Sequence, residues 1–231
     1  MNTLGLALSA VLWASSTLWC GEPPAAAKPM EAPPAATAPA DGLIDLGKED
    51  LGKLRQAFND SQGNVRMLFI LSPTCPGCQE GSRDVQQKIL DKIDFAQLKV
   101  LVVWFPLFQG ADNREAALRT GATFTDPRVS QFWLPDWTLG NLYGKVLPFP
   151  PDYKYQVAVD VYLIFDEKQT WGDEVPKPVA FMHRLGQDER LFNAETLRSM
   201  LESQIQETVA RNACNCTAPP TDMPAKPPSR R

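Results

Sequence analysis

Residues 64–93 read NVRMLFILSPTCPGCQEGSRDVQQKILDKI, and the fold turns on them. Val65 to Leu71 is an apolar run, long enough for a buried strand and too short for a membrane span. Ser72-Pro73-Thr74 break it, and Cys75-Pro76-Gly77-Cys78 follows at once. Beyond the motif, Val85, Ile89 and Ile93 recur every four residues and mark one face of a helix. Two cysteines, two residues apart, therefore sit where a strand hands over to a helix.

That placement carries chemistry. Proline is favoured at the first helical position, where its missing N–H is not needed. With Pro76 there, Cys75 is the N-cap, and its sulfur faces the free N–H groups and positive dipole end of the first turn. Both favour a thiolate, so Cys75 is expected to titrate below the ordinary cysteine value of about 8.5. Cys78, one turn further in, is the more covered of the two. In this reading Cys75 attacks and Cys78 resolves the mixed disulfide. A CxxC alone also suits a zinc site or a permanent disulfide. A zinc site needs two further ligands, and apart from Cys20 the remaining cysteines, Cys214 and Cys216, lie far along the chain.

The strand 65–71, the Cys75-Pro76-Gly77-Cys78 motif and the helix it opens resemble a thioredoxin-fold protein of the exported bacterial kind. The resemblance implies a thiol–disulfide oxidoreductase acting on protein thiols and disulfides. It implies that Cys75 and Cys78 cycle between dithiol and disulfide, with Pro76 and Gly77 beside them and no bound cofactor or metal. The fold class expected is α/β, a thioredoxin-like central mixed sheet flanked by helices.

The remaining elements fit that order. Residues 42–46 read as a short edge strand, Leu51, Leu54 and Phe58 as a helix, and 99–105 as a second buried strand. About fifty residues, 107–156, then form an insertion between the second and third central strands, expected to be helical. Asp112 with Glu115 resembles a capping box for a helix 113–121. Asp126-Pro127 predicts another helix, with Val129, Phe132 and Trp133 on one face. Trp137, Leu139, Leu142 and Tyr143 extend it. Residues 157–165 read as the third buried strand, 179–185 as its antiparallel partner, and Asn193 as the cap of a final helix striped by Leu197, Met200, Leu201, Ile205 and Val209.

One position departs from the resemblance. Thioredoxin-fold oxidoreductases open the third central strand with a proline that faces the CxxC, and here Asp160 falls at or near that place. A carboxylate beside the sulfurs could accept a proton from a buried thiol. It would also raise a neighbouring thiol's pKa by like-charge repulsion. The bland reading is a strand-start hydrogen bond. The aromatic set Trp104, Phe105, Phe132, Trp133 and Trp137 reads as core or as an apolar groove near the cysteines. His183 reads as a structural histidine on an alternating strand.

The whole chain sets outer limits. It has 231 residues, 44% hydrophobic and 22% charged, with a net charge of −4. No basic excess or motif points to nucleic acid. A single histidine excludes a site built on several imidazoles. Residues 1–20 read as a signal peptide or N-terminal anchor: Leu4 to Trp19 is apolar or small, though Met1-Asn2-Thr3 lacks the usual basic residue. Cleavage after Ser16, or lipidation at Cys20 with membrane attachment through the N-terminus, are both open, although Trp19 fits a lipoprotein signal poorly. The expected compartment is extracytoplasmic. Residues 21–41, rich in Pro and Ala, read as a disordered linker, 42–212 as the thioredoxin-like domain, and 213–231 as a disordered tail carrying Cys214-Asn215-Cys216. Two other functions use the same residues. One is a soft-metal site on Cys75 and Cys78 completed by Asp160 or the CxC tail. The other is a redox-inert interaction module whose surface is the insertion.

Overall fold

The computed structural model describes residues 42–215. The expectations for 1–20 and 21–41, for Cys20 and for Cys216 lie outside them. Six strands form one sheet: β1 Leu43–Asp45, β2 Val65–Leu71, β3 Leu98–Trp104, β4 Val129–Trp133, β5 Val161–Phe165 and β6 Ala180–His183. Five α-helices join them, α1 Gly52–Asp60, α2 Pro76–Val85, α3 Arg114–Gly121, α4 Thr138–Val146 and α5 Ala194–Asn215, and a π-helical turn, Gln86–Leu90, continues α2. The strand order is β1-β4-β3-β2-β5-β6. β1, β4, β3 and β2 run parallel, β5 is antiparallel to β2, and β6 is antiparallel to β5. This is the mixed sheet flanked by helices that residues 64–93 imply.

All seven residues of β2 are buried, as expected for a central strand covered on both faces. Tyr162 on β5 faces α2, where its hydroxyl occupies the place a side chain on Gly81 would take. Phe165, three residues on, packs edge-on at 5.1 Å against Phe58 of α1 on the opposite face. Arg66, inside the apolar run, is fully buried. Its guanidinium is accommodated there because it donates to the Phe58 and Asp166 carbonyls and stacks on the Phe58 ring.

The insertion is not purely helical. Where Asp126-Pro127 predicts a helix, the chain makes β4, parallel between β1 and β3. Asp126 does not cap. Its carboxylate accepts from the backbone and guanidinium of Arg128, at 2.8 and 2.9 Å for N and Nε. Arg128 also donates to the Leu90 and Ile93 carbonyls beyond α2. The proline therefore serves a tight turn. Val129, Phe132 and Trp133 then follow strand preference, and the expected continuation is a separate helix, α4.

The start of the third strand and the stripe of the last helix also differ from expectation. The apolar pattern begins at residue 157, but β5 starts at Val161. Ala158 donates instead to the Gly140 carbonyl of α4 at 2.9 Å, and Gln156 and Asp160 hold positive φ angles of 49° and 50°. On α5, capped as expected by Asn193 through Thr196, the stripe drifts. Thr208 is buried and Val209 is half exposed. The α5 backbone continues to Asn215, past the boundary expected at 212. Among the described residues no helix is long and apolar enough to cross a membrane.

Candidate active site

Cys75 is the N-cap of α2, in extended conformation at φ −69° and ψ 120°, with Pro76 opening the helix. Its side chain is partly exposed, whereas Cys78 is fully buried. Both are free thiols, the reduced form of the pair. The Cys75 pKa is lowered to about 7. The largest cause is the hydrogen bond from the Cys78 thiol. The backbone N–H groups of Cys78 and Gly77 add to it, against burial and the Asp160 charge. The end of the helix thus contributes as its sequence suggests, but the partner sulfur contributes more. Burial drives the Cys78 thiol well above its ordinary range, and its bond to Cys75 and the Asp160 charge push the same way. Its sulfur nevertheless accepts the Ser72 N–H at 3.4 Å.

Asp160 is brought to the pair. One carboxylate oxygen and the two sulfurs all lie within 4.8 Å of one another. The side chain is buried at 4% exposure, and burial raises its pKa. The Tyr162 hydroxyl, Arg184 and Cys78 partly offset that rise. Tyr162 donates to Asp160 Oδ1 at 2.7 Å. Arg184 lies alongside. Its backbone N–H donates to the Asp160 carbonyl, its guanidinium bonds Glu80 at 2.7 Å, and it covers the Phe192 ring.

The room for this arrangement comes from two glycines of α2. A Cβ on Gly77 would stand 2.7 Å from Asp160 Oδ2, and one on Gly81 only 1.8 Å from the Tyr162 hydroxyl. Gly77 is thus required by the carboxylate facing it, not by helix geometry. Sequence reasoning does not single out Gly81 or Tyr162. The four-residue spacing of the glycines on the CxxC helix is the available signal.

The other candidates fall elsewhere. Trp104, Phe105 and Phe132 are core. Trp133 is partly buried against the core and Trp137 is 40% exposed, so only part of the aromatic set reaches the surface. His183 is buried, accepts the Leu185 N–H on Nδ1, and has Nε2 3.1 Å from Asp188 without a directed hydrogen bond. It ends β6 and holds the following loop, its N–H donating to the Arg190 carbonyl and its carbonyl accepting from Phe192 N. Asp112 does not cap α3: Asn113 does, accepting from Ala116 N at 2.9 Å.

No family model matches the chain, and no curated protein matches it in sequence. Solved structures share its outline. A Bacteroides thetaiotaomicron protein put forward as a protein disulfide isomerase is 15% identical with a TM-score of 0.42, over 66% of this chain and 80% of its own. A secreted Mycobacterium tuberculosis disulfide oxidoreductase, homologous to E. coli DsbE, is 10% identical with a TM-score of 0.41, over 62% and 84%. A thioredoxin-like protein in its oxidised form is 19% identical with a TM-score of 0.38, over 64% and 79%.

Two sulfurs of opposite character, one part-exposed and poised to ionise, one buried and protonated, suit stepwise attack and resolution. The same two sulfurs with Asp160 also form a donor set for a thiophilic cation.

Proposed function

We propose that this chain is a thiol–disulfide oxidoreductase acting on protein thiols and disulfides, with Cys75 as nucleophile, Cys78 as resolving thiol and Asp160 as proton acceptor. The observation that carries it is the pairing of a part-exposed N-cap sulfur, lowered to about 7, with a buried partner thiol beside a buried carboxylate. An extracytoplasmic setting is part of the proposal and is supported by the apolar stretch Leu4 to Trp19.

In the reducing direction the Cys75 thiolate attacks one sulfur of a substrate disulfide. The substrate S–S bond breaks, a Cys75–substrate S–S bond forms, and the first substrate thiolate leaves and takes up a proton. Cys78 then gives its proton to ionised Asp160 and attacks Cys75 Sγ. The Cys75–Cys78 bond forms, the mixed disulfide breaks, and the second substrate thiolate leaves. Two electrons pass from the protein pair to the substrate, and the reverse sequence oxidises a dithiol. Which direction dominates is set by the reduction potential.

Cation binding is the second reading, favoured by the three donors within 4.8 Å. The full chain and its Cys75→Ser variant separate the two. Disulfide reduction is followed with a protein substrate and a dithiol, and zinc and copper(I) are titrated into the reduced protein. Turnover that disappears with Cys75→Ser, without stoichiometric metal uptake, is the expected result. Tight uptake with no turnover from any dithiol would overturn it.

A further inference from the structure

Asp112 carries a second observation about the active site. It lies in the insertion just before α3, is 6% exposed, and is not needed as a helix cap because Asn113 serves. Its two carboxylate oxygens accept five hydrogen bonds. Oδ2 takes Ser72 Oγ at 2.8 Å, Leu107 N at 2.8 Å and Phe108 N at 2.7 Å. Oδ1 takes Thr74 N at 3.0 Å and Thr74 Oγ1 at 2.6 Å. Pro73, between those two residues, is held through its carbonyl by Thr120 of α3 and Gln79 of α2, both at 2.9 Å. Every residue of the turn leading into the CxxC is therefore fastened, and all but two of the fastenings, those to Gln79 and Cys78 of α2, come from the insertion.

That turn reaches one sulfur directly and leads straight into the residue that carries the other. Ser72 N–H points at Cys78 Sγ, and Thr74 is the residue before Cys75. We infer that Asp112 is a positioning residue that holds the Ser72–Thr74 turn and thereby sets the dithiol–disulfide equilibrium of Cys75 and Cys78. The Ser72 N–H supports Cys78 Sγ more in the reduced pair than in a disulfide, because there Cys78 donates its own proton toward the Cys75 sulfur and a sulfur polarised in that way is the better acceptor. Loosening the turn withdraws that support. The reduced form becomes less favoured, and the pair becomes a stronger reductant. The inference rests on the oxidoreductase reading of the same pair.

The test equilibrates full-length wild type, Asp112→Asn, Ser72→Ala and Thr74→Val in glutathione buffers. The oxidation of the Cys75–Cys78 peptide is read by alkylation and mass spectrometry, and Tm is measured alongside. Phe132→Ala, a core change on β4, controls for lost stability. Asp112→Asn is expected to shift the equilibrium about threefold to tenfold toward the disulfide, the range of one hydrogen bond's worth. Ser72→Ala and Thr74→Val are expected to shift it less in the same direction, and Phe132→Ala not at all. If Asp112→Asn fails to fold, the two hydroxyl variants decide. Unchanged equilibria in them, a shift toward the dithiol, or an equal shift in Phe132→Ala would overturn the inference. A wild-type pair that never forms a disulfide overturns the oxidoreductase reading itself, and is recognised without any variant.

Discussion

In the proposed reaction Asp160 opposes Cys75 in one respect and serves Cys78 in another. Its charge raises the Cys75 pKa against the effect of the helix end, while its raised pKa, due mainly to burial, suits it to take the Cys78 proton. Asp160→Asn separates the two effects. The pH profile of Cys75 alkylation, expected in wild type to rise through about 7, should move to lower pH because a like charge is gone. Turnover should nevertheless fall roughly hundredfold, because loss of a positioned base costs that order. An alkylation profile that stays put or moves upward would contradict the first half, and unchanged turnover the second. That a carboxylate falls near position 160 is legible in the sequence, from the missing proline alone. Its hydrogen bond to Tyr162 is not, because it depends on β5 beginning at Val161 and on Asp160 standing at φ 50°.

Replacing Gly81 by a residue with a better helix propensity tests what the glycines of the CxxC helix do. Gly81→Ala ought to gain about 1 kcal/mol on propensity. We expect a net loss of about 1–3 kcal/mol in urea unfolding instead, because the new Cβ would stand 1.8 Å from the Tyr162 hydroxyl. Combined with Tyr162→Phe the loss should shrink, and the double-mutant cycle reads the coupling. Strictly additive losses would mean that the helix adjusts without touching Tyr162. Elements with a continuous apolar signal, β2, β3 and β5, are readable from sequence, as are the Cys75 N-cap and the Asn193 cap. β4 is not, because Asp126-Pro127 is an equally good start for a helix and for a turn. The choice is made by Arg128 reaching carbonyls beyond α2, contacts between residues 35 and 38 positions apart. Asp112 reads as a cap for a related reason: its hydrogen-bond donors at 72 and 74 are remote in sequence from the helix it precedes.

Across the molecule, α5 is tied to the loop after β5 by a compact ionic group. Glu167 accepts from Arg211 Nε at 2.9 Å and from Thr208 Oγ1 at 2.8 Å. The Arg211 bond leads in lowering its pKa from 4.5 to about 2. The folded-state value lies below the unfolded one, so the contribution to stability is complete above about 4.5 and is lost as pH falls toward about 2. Urea midpoints measured between pH 5 and pH 2 should therefore fall more steeply in wild type than in Glu167→Gln. Equal slopes would show that the group carries no such linkage.

The distance along the chain between the cysteines and Asp160 has a consequence for chain synthesis. Cys75 and Cys78 leave the ribosome about 80 residues before Asp160 and the β5 residues that pair with β2. The nascent α2 can present an N-cap thiol before its carboxylate neighbour and the antiparallel half of the sheet exist. Through that interval the sulfurs lack both the cover of β5 and the carboxylate that the proposed reaction uses as its base, so a growing chain carries the pair open to outside thiols and oxidants but without its own proton acceptor.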